Sequence, residues 1–234
     1  GKYREHASGT IVIPQGEAGT TSAWRVSQDF PDSRITHIEW NKNATRLLLA
    51  LESKKSKTET RWVLLDMRAS NPHIVALPLI PSAQVTQPRW NPQNPSEMLF
   101  IARNTRGKDT SYPLFSYDVD TEKLSPPLAH DVLLYTMQGN KILYISSQLL
   151  SLNSVDRASG EAQQLSYYPL FNIEKDAAAT FLDLSQPAIQ ANGAVYLFDS
   201  KTKIFQKIAD NVKRVRPSSD ARKLLIQKEN SLHV

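Results

Sequence analysis

A chain of 234 residues, 40% hydrophobic and 22% charged, has the composition of a folded globular protein and not of a disordered one. It contains no cysteine, which excludes disulfides, thiolate catalysis and cysteine-held metals, and with a mean hydropathy of −0.41 it has no apolar run near the roughly 18 residues of a membrane helix. The net charge of +5 is unevenly placed: nine basic residues between Lys201 and Lys228 stand against only Asp210 and Asp220, a local balance of +7.

The opening GKYREHASGT lacks the apolar segment of a signal peptide. Residues 1–34 then hold two strand-like stretches, GTIVIPQ and AWRVSQDF. From Thr36 the chain reads THIEWNKNATRLLLAL: an extended stretch ending in Trp40-Asn41, a polar turn, a basic residue and an apolar run. Fifty residues after Trp40 the phrase returns as TQPRWNPQNPSEMLFIA around Trp90. A weaker copy, YTMQGNKILYIS, turns at Gly139-Asn140, and VRPSSDARKLLIQ aligns with residues 38–50 without a gap, Pro217 replacing Trp40 and Lys223 replacing Arg46.

A second phrase recurs between copies of the first. VLLDMRAS, FSYDVDTEK, NSVDRASGE and YLFDSKTK each end a strand on an aspartate, at Asp66, Asp118, Asp156 and Asp199, spaced 52, 38 and 43 residues apart. Aspartate there bonds its own backbone two residues on and favours a tight turn. The two phrases together make a unit of four short strands, with units at 35–83, 84–130, 131–165 and 166–210 and an incomplete fifth at 211–234. Four strands in 35 to 50 residues is the arithmetic of a β-propeller blade, which buries both faces only by stacking on its neighbours. A β-sandwich also has closely spaced strands, but it does not require the same two phrases in the same order. Only IEKDAAATFLDL, residues 173–184, reads as a helix of two or three turns, or equally as a strand pair.

The phrase carried by Pro88, Trp90, Asn91, Pro92 and Met98–Ile101 resembles the signature of WD40-like, TolB-type (PD40) propeller repeats, and DRASG at Asp156–Gly160 resembles the end of the third strand in such blades. The glycine of the usual Pro-Asp-Gly turn is missing, as are the WD dipeptide and the Gly-His pair of ordinary WD40 repeats. The resemblance spans residues 35–234 and implies an all-β propeller with about five blades visible. Residues 1–34 then either supply ring-closing strands or are the tail of a preceding domain, and the chain is either a five-bladed ring or part of a larger one. Repeats of this kind are common in bacterial envelope and secreted proteins, which implies an extracytoplasmic setting.

No G-x-S-x-G elbow, phosphate-binding glycine loop or H-E-x-x-H motif is present, and no cofactor is indicated. The five histidines are scattered; His37 and His130 lie near first strands, where a channel would run. Trp40 and Trp90 read as blade packing before ligand stacking. The strand-end aspartates read as turn formers before a carboxylate ring. Asn43-Ala44-Thr45 is a glycosylation sequon, meaningful in a eukaryotic secretory setting.

Binding residues are therefore sought on loops and exposed strands: Tyr112, Tyr167 and Tyr168, in the loops 104–112 and 167–172, and Lys213, Arg214 and Arg216 in the basic stretch, with the 52–61 loop as a further contact region. The expected activity is that of a non-enzymatic scaffold contacting a protein or a cell-envelope polymer. The alternative is the accessory propeller of a peptidase or glycan-active hydrolase. Nucleic acid is not an expected partner, because Phe205 is the one aromatic within the basic stretch and base stacking is not suggested.

Overall fold

The computed structural model describes residues 5–6, 10–15, 20–25, 29–55, 60–68, 73–81, 83–104, 112–167, 179–182, 186–218, 220, 222–229 and 231–233. Residues 56–59, 105–111 and 168–172 of the three candidate contact loops, Tyr168 among them, lie outside the described residues. The chain forms two compact units, residues 1–106 with 115–126, and residues 107–114 with 127–234.

In the first unit, Glu5–His6 (β1), Thr10–Gln15 (β2) and Thr20–Arg25 (β3) pair as a three-stranded antiparallel sheet. Blade 1 follows, from Ser33–Trp40 (β4), Arg46–Ser53 (β5), Thr60–Asp66 (β6) and His73–Val75 (β7), and blade 2 from Ala83–Trp90 (β8), Glu97–Asn104 (β9), Leu114–Asp118 (β10) and Lys123–Leu124 (β11). In the second unit, blade 3 comprises Val132–Gln138 (β12), Lys141–Ser146 (β13), Leu152–Asp156 (β14) and Ala162–Gln164 (β15). Blade 4 comprises Ala179–Leu182 (β16), Ala188–Ala191 (β17), Ala194–Asp199 (β18) and Ile204–Ala209 (β19). Arg214–Pro217 (β20), Leu224–Gln227 (β21) and Leu232–His233 (β22) form a last three-stranded sheet. Each sheet is an antiparallel meander with strands in sequence order. The described part of the 173–184 stretch is strand, β16, and not helix.

The repeated Trp-Asn phrase is a hairpin device. In blade 1, Asn41 Oδ1 accepts the N–H groups of Thr45 (2.8 Å) and Arg46 (3.0 Å), and its own N–H donates to the Arg46 carbonyl (3.0 Å). In blade 2, the N–H of Asn91 donates to the Glu97 carbonyl (2.9 Å), and Asn91 Oδ1 accepts from the Gln93 N–H (2.9 Å). One asparagine at the same place thus satisfies the backbone of each turn.

The apolar runs after these turns are blade centres. Leu47 to Leu51 are all buried, but alternate in direction. Leu47, Leu49 and Leu51 join Val63, Leu65 and Met67 on one face of blade 1, where Trp40, Phe30 and Ile35 pack. Leu48 and Leu64 face the other way, into a cluster with Trp90, Met98, Phe100, Ala102 and Tyr117 of blade 2. Blades 3 and 4 repeat the arrangement: Leu134, Leu143, Ile145 and Leu152 pack on Phe181, Ile189, Tyr196 and Phe198. First strands of consecutive blades, β4 with β8 and β12 with β16, approach one another. Trp90 donates its indole N–H to the Glu39 carbonyl (3.3 Å), tying those two first strands together.

Candidate binding surface

The strand-end aspartates engage their own turns. Asp66 Oδ1 accepts the Arg68 N–H (2.9 Å), Asp118 Oδ1 that of Thr121 (2.8 Å), Asp156 Oδ1 that of Ala158 (2.9 Å) and Asp199 Oδ1 that of Lys201 (2.8 Å). The last three close four-residue loops whose fourth residue is left-handed: Glu122 (φ 55°), Gly160 (φ 73°) and Lys203 (φ 61°). Gly160 and Lys203 each return an N–H to the aspartate's carbonyl at 2.8 Å. Bonds from the Ser159 and Ala158 backbone hold the Asp156 carboxyl below its usual range, and the Lys201 backbone does the same for Asp199. These carboxylates stay ionised as turn caps.

Asp66 has a second role. Arg46 is 2% exposed at its side chain, and its Nε stands 3.5 Å from Asp66 Oδ2, while its Nη2 donates to Asp120. Arg68 bridges the same pair, with Nη2 2.6 Å from Asp66 Oδ2 and Nη1 2.9 Å from Asp120 Oδ1. The Ser96 hydroxyl donates to the other oxygen of Asp120. Burial alone would push the Asp66 carboxyl up, but bonds from the Arg68 side chain and backbone, with the Arg46 charge, outweigh it and hold the group low. Hydrogen bonds from Arg46 and then Ser96 lower Asp120 to about 2. Two guanidiniums and two carboxylates neutralise each other, so the cluster holds no unbalanced charge and works as a clamp joining blade 1 to blade 2. No catalytic or ligand-binding motif marks the clamp. Its signal is a basic residue directly before an apolar run, a place where an exposed lysine or arginine is otherwise expected.

His37 lies on β4, 3.5 Å from Glu39 and edge-on to the Trp62 ring (5.8 Å between centroids), and His130 is exposed. Among the described residues no group of three His, Asp or Glu side chains is placed to hold a metal, and no helix is long and apolar enough to cross a membrane.

The surface candidates separate. Tyr112 is half-buried, and its carbonyl accepts the Val132 N–H (2.8 Å) where β12 begins. Tyr167 is 74% exposed, and its backbone N–H reaches the Lys203 carbonyl at 3.4 Å, so an exposed ring stands beside the cationic turn of blade 4. Lys213 is exposed but paired with Glu229 (3.2 Å). Arg214 and Arg216 are exposed two residues apart on β20, on one face of the last sheet. Val215, Leu224 and Ile226 point the opposite way and pack on Val195, Ala188 and Val212 of blade 4 and its exit.

Four-stranded antiparallel meanders stacked face to face define a protein of the β-propeller class, with four complete blades in this chain. No protein-family model matches the chain, and no curated protein is significantly similar to it in sequence. Solved structures are similar in fold. TolB from Acinetobacter baumannii superposes with a TM-score of 0.53 at 15% identity, over 95% of this chain and 55% of that one. A puromycin hydrolase does so with 0.56 at 12% identity, over 93% and 37%, and the Dos1 propeller with 0.53 at 12%, over 93% and 58%. The chain thus spans little more than half of the TolB chain. The fold is TolB-like, as the repeat phrases imply.

Proposed function

We propose that this chain is a β-propeller binding scaffold that holds a protein or a cell-envelope polymer on its exposed loops and strands. The supporting observation is the distribution of its polar groups. Arg46, Asp66, Arg68 and Asp120 hold two blades together, and Asp118, Asp156 and Asp199 cap turns. In contrast, Tyr167 in the loop after β15 and Arg214 and Arg216 on β20 are exposed. TolB and the Dos1 propeller share the fold. The second reading is an accessory propeller of a hydrolase. Its support is that the same fold forms a part of the longer puromycin hydrolase chain.

The test is retention on the immobilised chain from an envelope extract, with peptidase and glycosidase reporters assayed alongside. The scaffold reading expects one species retained by the wild-type chain and lost with Tyr167→Ala at an unchanged melting temperature. Reporter turnover that disappears when an acidic residue of the chain is replaced would overturn it.

A further inference from the structure

We infer that the junction of blades 1 and 2 holds a neutral sugar of a glycan chain against the Trp62 ring; this deepens the scaffold reading by naming the polymer, and rests on it. Blade 1 departs from the repeat at this place. Trp62 stands four residues before the strand-end Asp66. At the same distance before Asp118, Asp156 and Asp199 the other blades carry Leu114, Leu152 and Val195, each 0% exposed. Trp62 is only half-buried. Strand register extends the departure across the sheet. Blade 3 sets Leu134, Ile145 and Leu152 in one row, all buried in the cluster with blade 4. The same row of blade 1 is His37, Ala50 and Trp62. It shares its face with Leu48 and Leu64, the face that packs on blade 2. Blade 2 is in place beside it, since Gln84 Nε2 donates to the Thr60 carbonyl (3.4 Å), yet the His37 side chain is 52% exposed. Two rings thus stand open in a row that packing alone fills with buried aliphatic side chains.

The surroundings are polar, and their charges are already matched. The next row of blade 1 is Arg34, Glu52 and Thr60. Arg34 donates to Glu52 Oε2 from Nε (2.7 Å) and from Nη2. Glu39 Oε1 accepts the Trp90 backbone N–H (3.1 Å), and its Oε2 lies 3.5 Å from His37 Nε2. The Trp62 ring is therefore rimmed by hydrogen-bonding groups that present no unmatched charge. A pyranose ring fits such a rim. Its flat C–H face stacks on an aromatic ring, and the hydroxyls on its edge both donate and accept, as carboxylate, guanidinium and imidazole side chains require. An anionic polymer would meet Glu39 and Glu52 beside the ring. An apolar peptide would have to desolvate the Arg34–Glu52 pair.

The experiment is isothermal titration calorimetry of the whole chain with chitotetraose and with cellotetraose, two neutral glycans of flat pyranose rings. Tetragalacturonate and a Gln-Val peptide are the comparison probes. The expected result is saturable binding of at least one neutral tetrasaccharide, and weaker or no binding of the comparison probes. Trp62→Leu installs the kind of residue that blades 2 and 3 carry at this place, so it keeps an apolar side chain and removes the stacking ring. It should weaken binding about tenfold, the order of one aromatic stacking contact. His37→Ala should weaken it about threefold, as loss of one hydrogen bond does; this change at an exposed side chain tests the site if melting shows Trp62→Leu to be unfolded. Phe205→Leu, the loss of an aromatic ring on blade 4, should leave affinity within about twofold. No saturable binding of either tetrasaccharide, equal losses in Trp62→Leu and Phe205→Leu, or tighter Trp62-dependent binding of tetragalacturonate or the peptide overturns the inference. Retention through Tyr167 is measured separately, so the scaffold reading can survive the loss of this site.

Discussion

At the fourth position of the aspartate-led loops three different residues adopt the same left-handed backbone, Glu122, Gly160 and Lys203. Glycine takes that conformation without a Cβ clash, whereas another residue is strained by about 1 kcal/mol. Lys203→Gly should therefore raise the melting temperature by an amount matching about 0.5–1 kcal/mol, and Gly160→Ala should lower it by a similar amount. Nothing lies within 4 Å of a Cβ built on Gly160, so the penalty there is conformational and not steric. Calorimetry of both variants checks the pair; equal signs would mean that the loops are not equivalent. The clamp residues respond differently. Arg46→Met leaves the buried Asp66 carboxylate with Arg68 as its remaining partner and should cost about 3 kcal/mol in denaturant unfolding. Asp120 has a folded pKa of about 2, below the roughly 3.9 of an unfolded aspartate. A depressed pKa contributes stability that is complete above the unfolded value and lost as pH falls through the folded one. Melting temperature should therefore drop between about pH 4 and pH 2, and the drop should be shallower in Asp120→Asn.

At the scale of the element, the hairpin and the turn were legible because their chemistry is local. Asn41 and Asn91 satisfy turn backbones within six residues of themselves, and Asp118, Asp156 and Asp199 within three, so residue type and spacing carry the information. The clamp was not legible, because Arg46 meets Asp120 across 74 residues and no local pattern reports a contact between blades. The β17–β18 hairpin carries a local signal of the same kind: Asn192-Gly193, with φ 50° and 69°, is a two-residue turn of the type I′ sort. The exposure of the candidate tyrosines was beyond reach for the same reason as the clamp. Tyr112 and Tyr167 sit in similar polar loops, yet one is half-buried and the other exposed, as packing decides. Blade stacking gives this scale its own prediction. Trp90 is 4% exposed within the blade 1–blade 2 cluster, so Trp90→Ala should cost about 4 kcal/mol in denaturant unfolding. Trp90→Phe, which mainly loses the bond to the Glu39 carbonyl, should cost about 1–2 kcal/mol.

At the scale of the molecule, repetition makes the fold readable and the function hard to read. A blade must present apolar faces to its neighbours, so its centre strand repeats, whereas nothing in that requirement dictates what loops and end sheets carry. The departures from repetition are thus the informative places. The last sheet keeps the repeat's turn and apolar positions, with Arg214 and Arg216 where blade 1 carries His37 and Glu39. The measurement that bears most directly on this account is hydrogen exchange read by mass spectrometry on the free chain. The account predicts slow exchange in the centre strands β5, β9, β13 and β18 and faster exchange in the exposed outer strands β11 and β15. Fast exchange in those centre strands, or equal protection in outer and centre strands, would contradict it.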